Sequence, residues 1–99
     1  MSKIGLLVRI EAKPEYAGQV ESLLRGAQQL ADQEQGTVTW FSFRQSPTVF
    51  GVFDTFEDEQ GRTAHLQGQI AAALGEIAQT ALASAPVISE IDLLGVKIL

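Results

Sequence analysis

The stretch from Asp54 to Gln67, Asp-Thr-Phe-Glu-Asp-Glu-Gln-Gly-Arg-Thr-Ala-His-Leu-Gln, carries the only histidine of a chain that has no cysteine and no asparagine. Imidazole is the side chain whose ordinary pKa lies nearest neutrality, so His65 is the natural candidate for proton transfer. Asp54 is the second candidate. It shares a strand face with Phe50, Val52 and Phe56 by the two-residue period, and a carboxylate buried there is costly unless paired or hydrogen-bonded. Two readings of the pair stay open. In one, His65 is a solvated histidine on a helix flank, while Asp54 accepts backbone N–H groups or pairs with Arg62 or Arg44. In the other, Asp54 orients His65 or grips a substrate hydroxyl.

Three aromatic residues extend the second reading. Trp40, Phe50 and Phe56 would line a pocket for a flat aromatic ligand, although strand aromatics serve equally well as core. The Trp40 indole N–H needs a hydrogen-bond partner in either case. Arg62 shares a helix face with His65 and is either a substrate-binding or a salt-bridging group. Glu34, near the end of the preceding helix, is expected to face solvent.

The elements that must position these residues are legible from periodicity. Residues 4–12 alternate, with Leu6, Val8 and Ile10 on one face, which predicts a strand. Pro14 suits a first helical turn. Val20, Leu23, Leu24, Ala27, Leu30 and Ala31 then follow three-four spacing, so the spacing predicts an amphipathic helix, closed by Gly36. Strands over 37–45 and 49–56, joined through Ser46-Pro47-Thr48, form an antiparallel hairpin. A second helix starts at the N-cap Asp58, carries the stripe Leu66, Ile70, Ala73, Leu74, Ile77 and Ala81, and stops at Ala85-Pro86. Residues 87–98 form the last strand, with Gly95 marking a bulge.

The order β-α-β-β-α-β is the ferredoxin-like α+β arrangement: a four-stranded antiparallel sheet with two helices on one face. Residues 1–99 form one domain. In the hairpin, Trp40 and Phe50 lie on one face, while Phe41, Phe43 and Phe53 lie on the other. Helices cover only one face, so the second aromatic face is expected to meet a second copy of the chain. A homodimer is the expectation.

Composition narrows the chemistry. Without cysteine there is no thiolate nucleophile, disulfide or iron–sulfur ligation, and one histidine does not build the usual transition-metal site. No metal ligand set is expected. A net charge of −5 with scattered Lys and Arg argues against nucleic acid. No apolar run is long enough for a membrane helix. Met1-Ser-Lys leads straight into a strand with no charged-then-apolar leader, so a cytoplasmic location is expected. No glycine-rich phosphate loop and no Gly-x-Ser-x-Gly elbow are present.

The pattern Glu34-x-Gly36-x-x-x-Trp40, followed by Phe50-Gly-Val-Phe-Asp-Thr-Phe56 and Asp58-Glu59-x-x-Arg62-x-x-His65-Leu66, resembles the antibiotic biosynthesis monooxygenase domain of the dimeric α+β-barrel superfamily, over essentially the whole chain. Asp54 stands where that family more often has Glu, Trp40 where it often has Tyr, and Gly61 where Ala is common. The resemblance implies a dimeric barrel and, in the cofactor-free oxygenases, a substrate that reduces oxygen itself. Haem-degrading members rely on an Asn, a Trp and a proximal His in the second helix; this chain has no asparagine, and His65 matches the family's general histidine instead of that ligand, so haem is not expected. The resemblance to the cofactor-free oxygenases implies no cofactor.

The resemblance implies, as the leading expectation, a cofactor-independent monooxygenase acting on a small phenol or quinol. His65 assists deprotonation, Asp54 positions it, and Trp40, Phe50, Phe56 and Arg62 bind the substrate. Two alternatives stay open: an isomerase or enolising enzyme using the same His and carboxylate, and a non-catalytic dimeric protein that binds a small ligand.

Overall fold

The computed structural model describes residues 2–99. Alternation makes β1 (Ile4–Glu11) a central strand: Leu6, Val8 and Ile10 turn inward and are buried. It pairs antiparallel with β3 (Val49–Phe56) on one side and β4 (Val87–Asp92) on the other, and β2 (Thr37–Arg44) pairs antiparallel with β3. The strand order β2-β3-β1-β4 is that of the ferredoxin-like sheet. The hairpin turn closes with Gln45 N–H donating to the Val49 carbonyl and Val49 N–H donating to Ser46 Oγ.

Register sets the rows of side chains on the helix-facing side of the sheet. One row runs Trp40, Asp54, Leu6 and Glu90; the next runs Ser42, Val52, Val8 and Ile88. The first helix, α1 (Ala17–Asp32), lies across these rows with Val20, Leu24, Ala27 and Ala31 buried. Leu24 and Val20 pack with Ile10, Phe50 and Val52 in the larger core cluster. A buried aliphatic or aromatic side chain of this kind contributes roughly 1.5–3 kcal/mol.

Three expectations are corrected. The second helix is not continuous: α2 (Glu59–Leu66) ends at Gln67, and α3 (Gln69–Ala78) begins from Gly68. The break changes which face of α2 is covered. Its buried side chains are Arg62 and His65, while Leu66 is exposed, so the apolar stripe belongs to α3 through Ile70 and Leu74. Secondly, α1 stops at Asp32, before Gly36, and Gly36 does not adopt a positive φ. Thirdly, the last strand ends at Asp92, so Gly95 lies beyond it in a segment without regular structure. The N-cap expectation holds: Asp58 Oδ1 accepts from the Gly61 N–H at 3.0 Å.

The opposite sheet face is apolar and open. Phe41 and Phe43 are 58% and 40% exposed, and Leu7 and Val87 lie on the same side. The Phe43 ring covers Gly51, its cross-strand neighbour, and the Phe53 ring lies against Gly5. No helix among the described residues is long and apolar enough to cross a membrane.

Candidate active site

Asp54 is fully buried in the third strand, at the centre of the row Trp40–Asp54–Leu6. Opposite it, the last turn of α2 delivers His65, which is 6% exposed. His65 Nε2 stands 2.8 Å from Asp54 Oδ2, an ion-pair contact that falls outside hydrogen-bond geometry. On its other side, His65 Nδ1 hydrogen-bonds Glu34 Oε1 at 2.7 Å. The ring of Phe56 packs against the imidazole, with centroids 5.4 Å apart. One imidazole is thus held between two carboxylates.

Glu34 is not the solvent-facing residue the periodicity suggested. Because α1 ends at Asp32, Glu34 belongs to the turn into β2, and its side chain folds inward. Its Oε1 also accepts from Thr37 Oγ1 at 2.8 Å, and its Oε2 lies against Gly68, the N-cap of α3. That end of a helix carries partial positive charge, which favours a carboxylate. A methyl group on Gly68 would meet Glu34 Oε2 at 3.1 Å and the His65 carbonyl at 3.2 Å, so glycine at the helix break makes room for this contact.

The two carboxylates decide the charge of His65. Burial is the largest single influence and lowers its pKa, but contacts with Asp54 and then Glu34 together outweigh it, raising the value from 6.5 to about 8. At neutral pH the group is an imidazolium. It becomes a free base only as the pH passes about 8. A fully buried carboxylate without a cation beside it would be far less tolerable.

His65 also forms part of the wall of an apolar cavity of about 220 Å³ between α2, α3 and the sheet, with Leu6, Val52, Leu66, Ile70 and Leu74. Ligand pockets more often measure roughly 300–1,000 Å³, so this one suits a molecule with a single ring.

The other expected site residues are distributed around this centre. Phe56 touches His65, and Trp40 is the cross-strand neighbour of Asp54. Trp40 packs under Ala27, Ala31 and Ile70 and borders a separate polar cavity with Glu34 and Thr37. Phe50 lies in the core next to α1, with the Arg44 guanidinium 4.9 Å above its ring, away from the His65 cavity. Arg62 is buried and donates to the Gly5 carbonyl at 3.4 Å, with Glu59 and Glu90 both 3.6 Å away. Neither Arg62 nor Arg44 pairs with Asp54; Arg44 pairs with Glu21 at 3.0 Å. Sequence reasoning missed Glu34 as a partner of His65. The available signal was Thr37 three residues after it, at a point where the helical pattern is already fading.

A buried His flanked by two carboxylates thus lies on a ferredoxin-like sheet beside a small apolar cavity, an arrangement able to hold or move a proton. No protein-family model and no curated protein sequence matches the chain. Among solved structures, a protein of unknown function from Nitrosomonas europaea is 48% identical, with 100% of this chain and 96% of that one covered and a TM-score of 0.96. The chain belongs to the family of that Nitrosomonas protein. Proteins assigned to the antibiotic biosynthesis monooxygenases share its fold. One from Caulobacter crescentus is 21% identical, covering 95% of this chain and 92% of that one with a TM-score of 0.79. One from Nitrosomonas europaea is 13% identical, covering 93% and 99% with a TM-score of 0.82. The chain has the antibiotic biosynthesis monooxygenase fold.

Proposed function

We propose that this protein is a cofactor-independent monooxygenase of a small phenol or quinol, with the Asp54–His65 pair as its base. The observation that carries the reading is the placement of His65, held by two carboxylates and also forming part of the wall of an apolar cavity. Deprotonation converts a phenol into a phenolate, which gives an electron to oxygen far more readily. One oxygen atom then enters the ring and the other leaves as water, and the ring ends as a quinone, so that the substrate supplies every electron. The chain's contribution is desolvation by Leu6, Val52, Ile70 and Leu74, orientation, and removal of one proton.

The active form is proposed to be a homodimer built on the open sheet face, where Phe41, Phe43, Leu7 and Val87 present apolar surface. A face of this kind on an isolated subunit is a site for a partner.

Oxygen consumption on adding a hydroquinone tests the reading directly. His65→Gln, checked for folding by circular dichroism, should lower that rate by roughly 10²-fold or more, the scale of a lost general base. Full activity in the variant would end the proposal. An enolising enzyme would use the same residues, but it would exchange substrate hydrogen with heavy water and consume no oxygen.

A further inference from the structure

The imidazole and the carboxylate bonded to it belong to different cavities. His65 lines the apolar cavity of about 220 Å³, in which Glu34 has no part. Glu34 lines the polar cavity of about 250 Å³ with Gln28, Asp32, Thr37 and Thr39, in which His65 has no part. The 2.7 Å hydrogen bond between His65 Nδ1 and Glu34 Oε1 joins the two. Asp54, the other carboxylate on the ring, lines neither.

Access separates the two carboxylates. The Asp54 side chain is 0% exposed, whereas that of Glu34 is 20% exposed. A proton passed to Asp54 is out of reach of solvent; a proton passed to Glu34 can leave. Geometry separates them as well. Nδ1 meets Glu34 in full hydrogen-bond geometry, whereas Nε2 lies 2.8 Å from Asp54 Oδ2 outside it. Proton transfer needs an aligned contact of roughly 2.6–3.2 Å between heavy atoms. Only the Glu34 side offers both alignment and water.

A base that takes a proton in each turnover must also lose it, and a ring seated in the apolar cavity closes that side of His65. We propose that Glu34 is the proton outlet of the site: His65 passes its Nδ1 proton to Glu34 Oε1, and Glu34 releases it to water in the polar cavity. The substrate hydroxyl gives one proton to the imidazole, the imidazolium gives one to the carboxylate, and the carboxylic acid gives one to water. His65 and Glu34 return to their starting charges. Thr37 Oγ1, which donates to the same Glu34 oxygen at 2.8 Å, holds that atom in place. Asp32, the other carboxylate on the polar cavity, favours a departing positive charge. The inference deepens the proposed function and rests on it for the source of the proton.

The single histidine gives one pair of ring N–H resonances in ¹⁵N-labelled protein. Below about pH 6.5, where the ring carries both protons, Nδ1–H should exchange with water faster than Nε2–H. Glu34→Gln keeps an acceptor for Nδ1 but does not carry the proton, so Nδ1 exchange should slow on the order of 10-fold or more. A carboxylate that only anchors the ring predicts the opposite, because a loosened ring exchanges faster. The same variant should lower the high-pH plateau of hydroquinone-dependent oxygen consumption. Added imidazole, a mobile base, should restore that plateau in the variant and leave the wild type unchanged. Equal exchange at the two nitrogens of the wild type would overturn the outlet without recourse to any variant, and so would unslowed Nδ1 exchange in Glu34→Gln. If oxygen is consumed but the plateau is undiminished in the variant, the outlet fails and the oxygenase reading survives. If Nδ1 exchange depends on Glu34 but a hydroquinone consumes no oxygen, the outlet stands and the oxygenase reading falls.

Discussion

Gly36 and Gly61 meet backbone to backbone. A β-carbon on Gly61 would stand 2.7 Å from the Gly36 carbonyl oxygen, and one on Gly36 would stand 2.8 Å from the Gly61 α-carbon. This contact lets the first turn of α2 close against the turn that carries Glu34, and it sets how near His65 comes to that carboxylate. Glycine is used at both positions for closeness, and neither has a positive φ.

Gly61→Ala should therefore push α2 away from the turn and destabilise the protein by about 1–3 kcal/mol, the range of an overpacked contact. Gly26→Ala is the matched control. Gly26 lies inside α1 with open space where a methyl group would go, so the change should stabilise by about 0.5–1 kcal/mol. Urea unfolding of the two variants checks both signs.

His65 should titrate with a midpoint near 8, which a single imidazole signal makes easy to follow by NMR. Its folded pKa lies above the unfolded value of 6.5. The stabilisation from its charge is therefore complete below about 6.5 and fades as the pH rises through about 8, by on the order of 1–2 kcal/mol. His65→Gln should remove this part of the stability profile. Turnover should move the opposite way, rising as the pH passes about 8 and the ring becomes a free base. A rate that falls across that interval would argue against His65 as the base.

Glu34→Gln keeps the shape of the side chain and removes one of the two charges beside the imidazole. The His65 midpoint should fall towards 6.5, and the rise in turnover should shift down in pH with it. An unmoved midpoint would mean that Asp54 alone holds the proton.

Removing the imidazole should also be costly in itself. His65→Ala strips the buried Asp54 of its cation, and breaking such a pair costs roughly 3–5 kcal/mol. The full burial of Asp54 is what makes the loss of its cation costly. Asp54→Asn combined with His65→Gln should cost clearly less than the two single changes added together.

Phe43→Glu tests the open sheet face. The proposed dimer should bury more than the standard interface of roughly 1,600 Å², and a charge in its apolar layer should yield monomer or aggregate in sedimentation. A wild-type chain that stays monomeric at micromolar concentration would remove the dimer from the proposal.

The sheet was legible because β-strands write their faces at a period of two. Leu6, Val8 and Ile10 turn inward, and the same period placed Asp54 on the helix side with Phe50, Val52 and Phe56. The split of the second helix was not legible, because Leu66, Ile70, Ala73, Leu74 and Ile77 keep helical spacing straight across Gly68. Only the tertiary contact with Glu34 shows why a glycine stands there. The role of Glu34 was hidden for the same reason. Read as the end of α1 it points outward, and the helix in fact stops two residues before it. Local pattern records which face a residue takes within its own element, and it does not record where that element ends against another.

The break at Gly68 also divides labour along the chain. α3 supplies apolar burial through Ile70 and Leu74, whereas α2 buries the two charged or titratable groups, Arg62 and His65. Changes that tune the packing of α3 need not disturb the polarity of the site, and changes around His65 need not empty the core beneath α3. A lineage carrying this fold can therefore alter what the cavity holds and what the proton acceptor does in separate evolutionary steps, with the glycine between them as the point of independence.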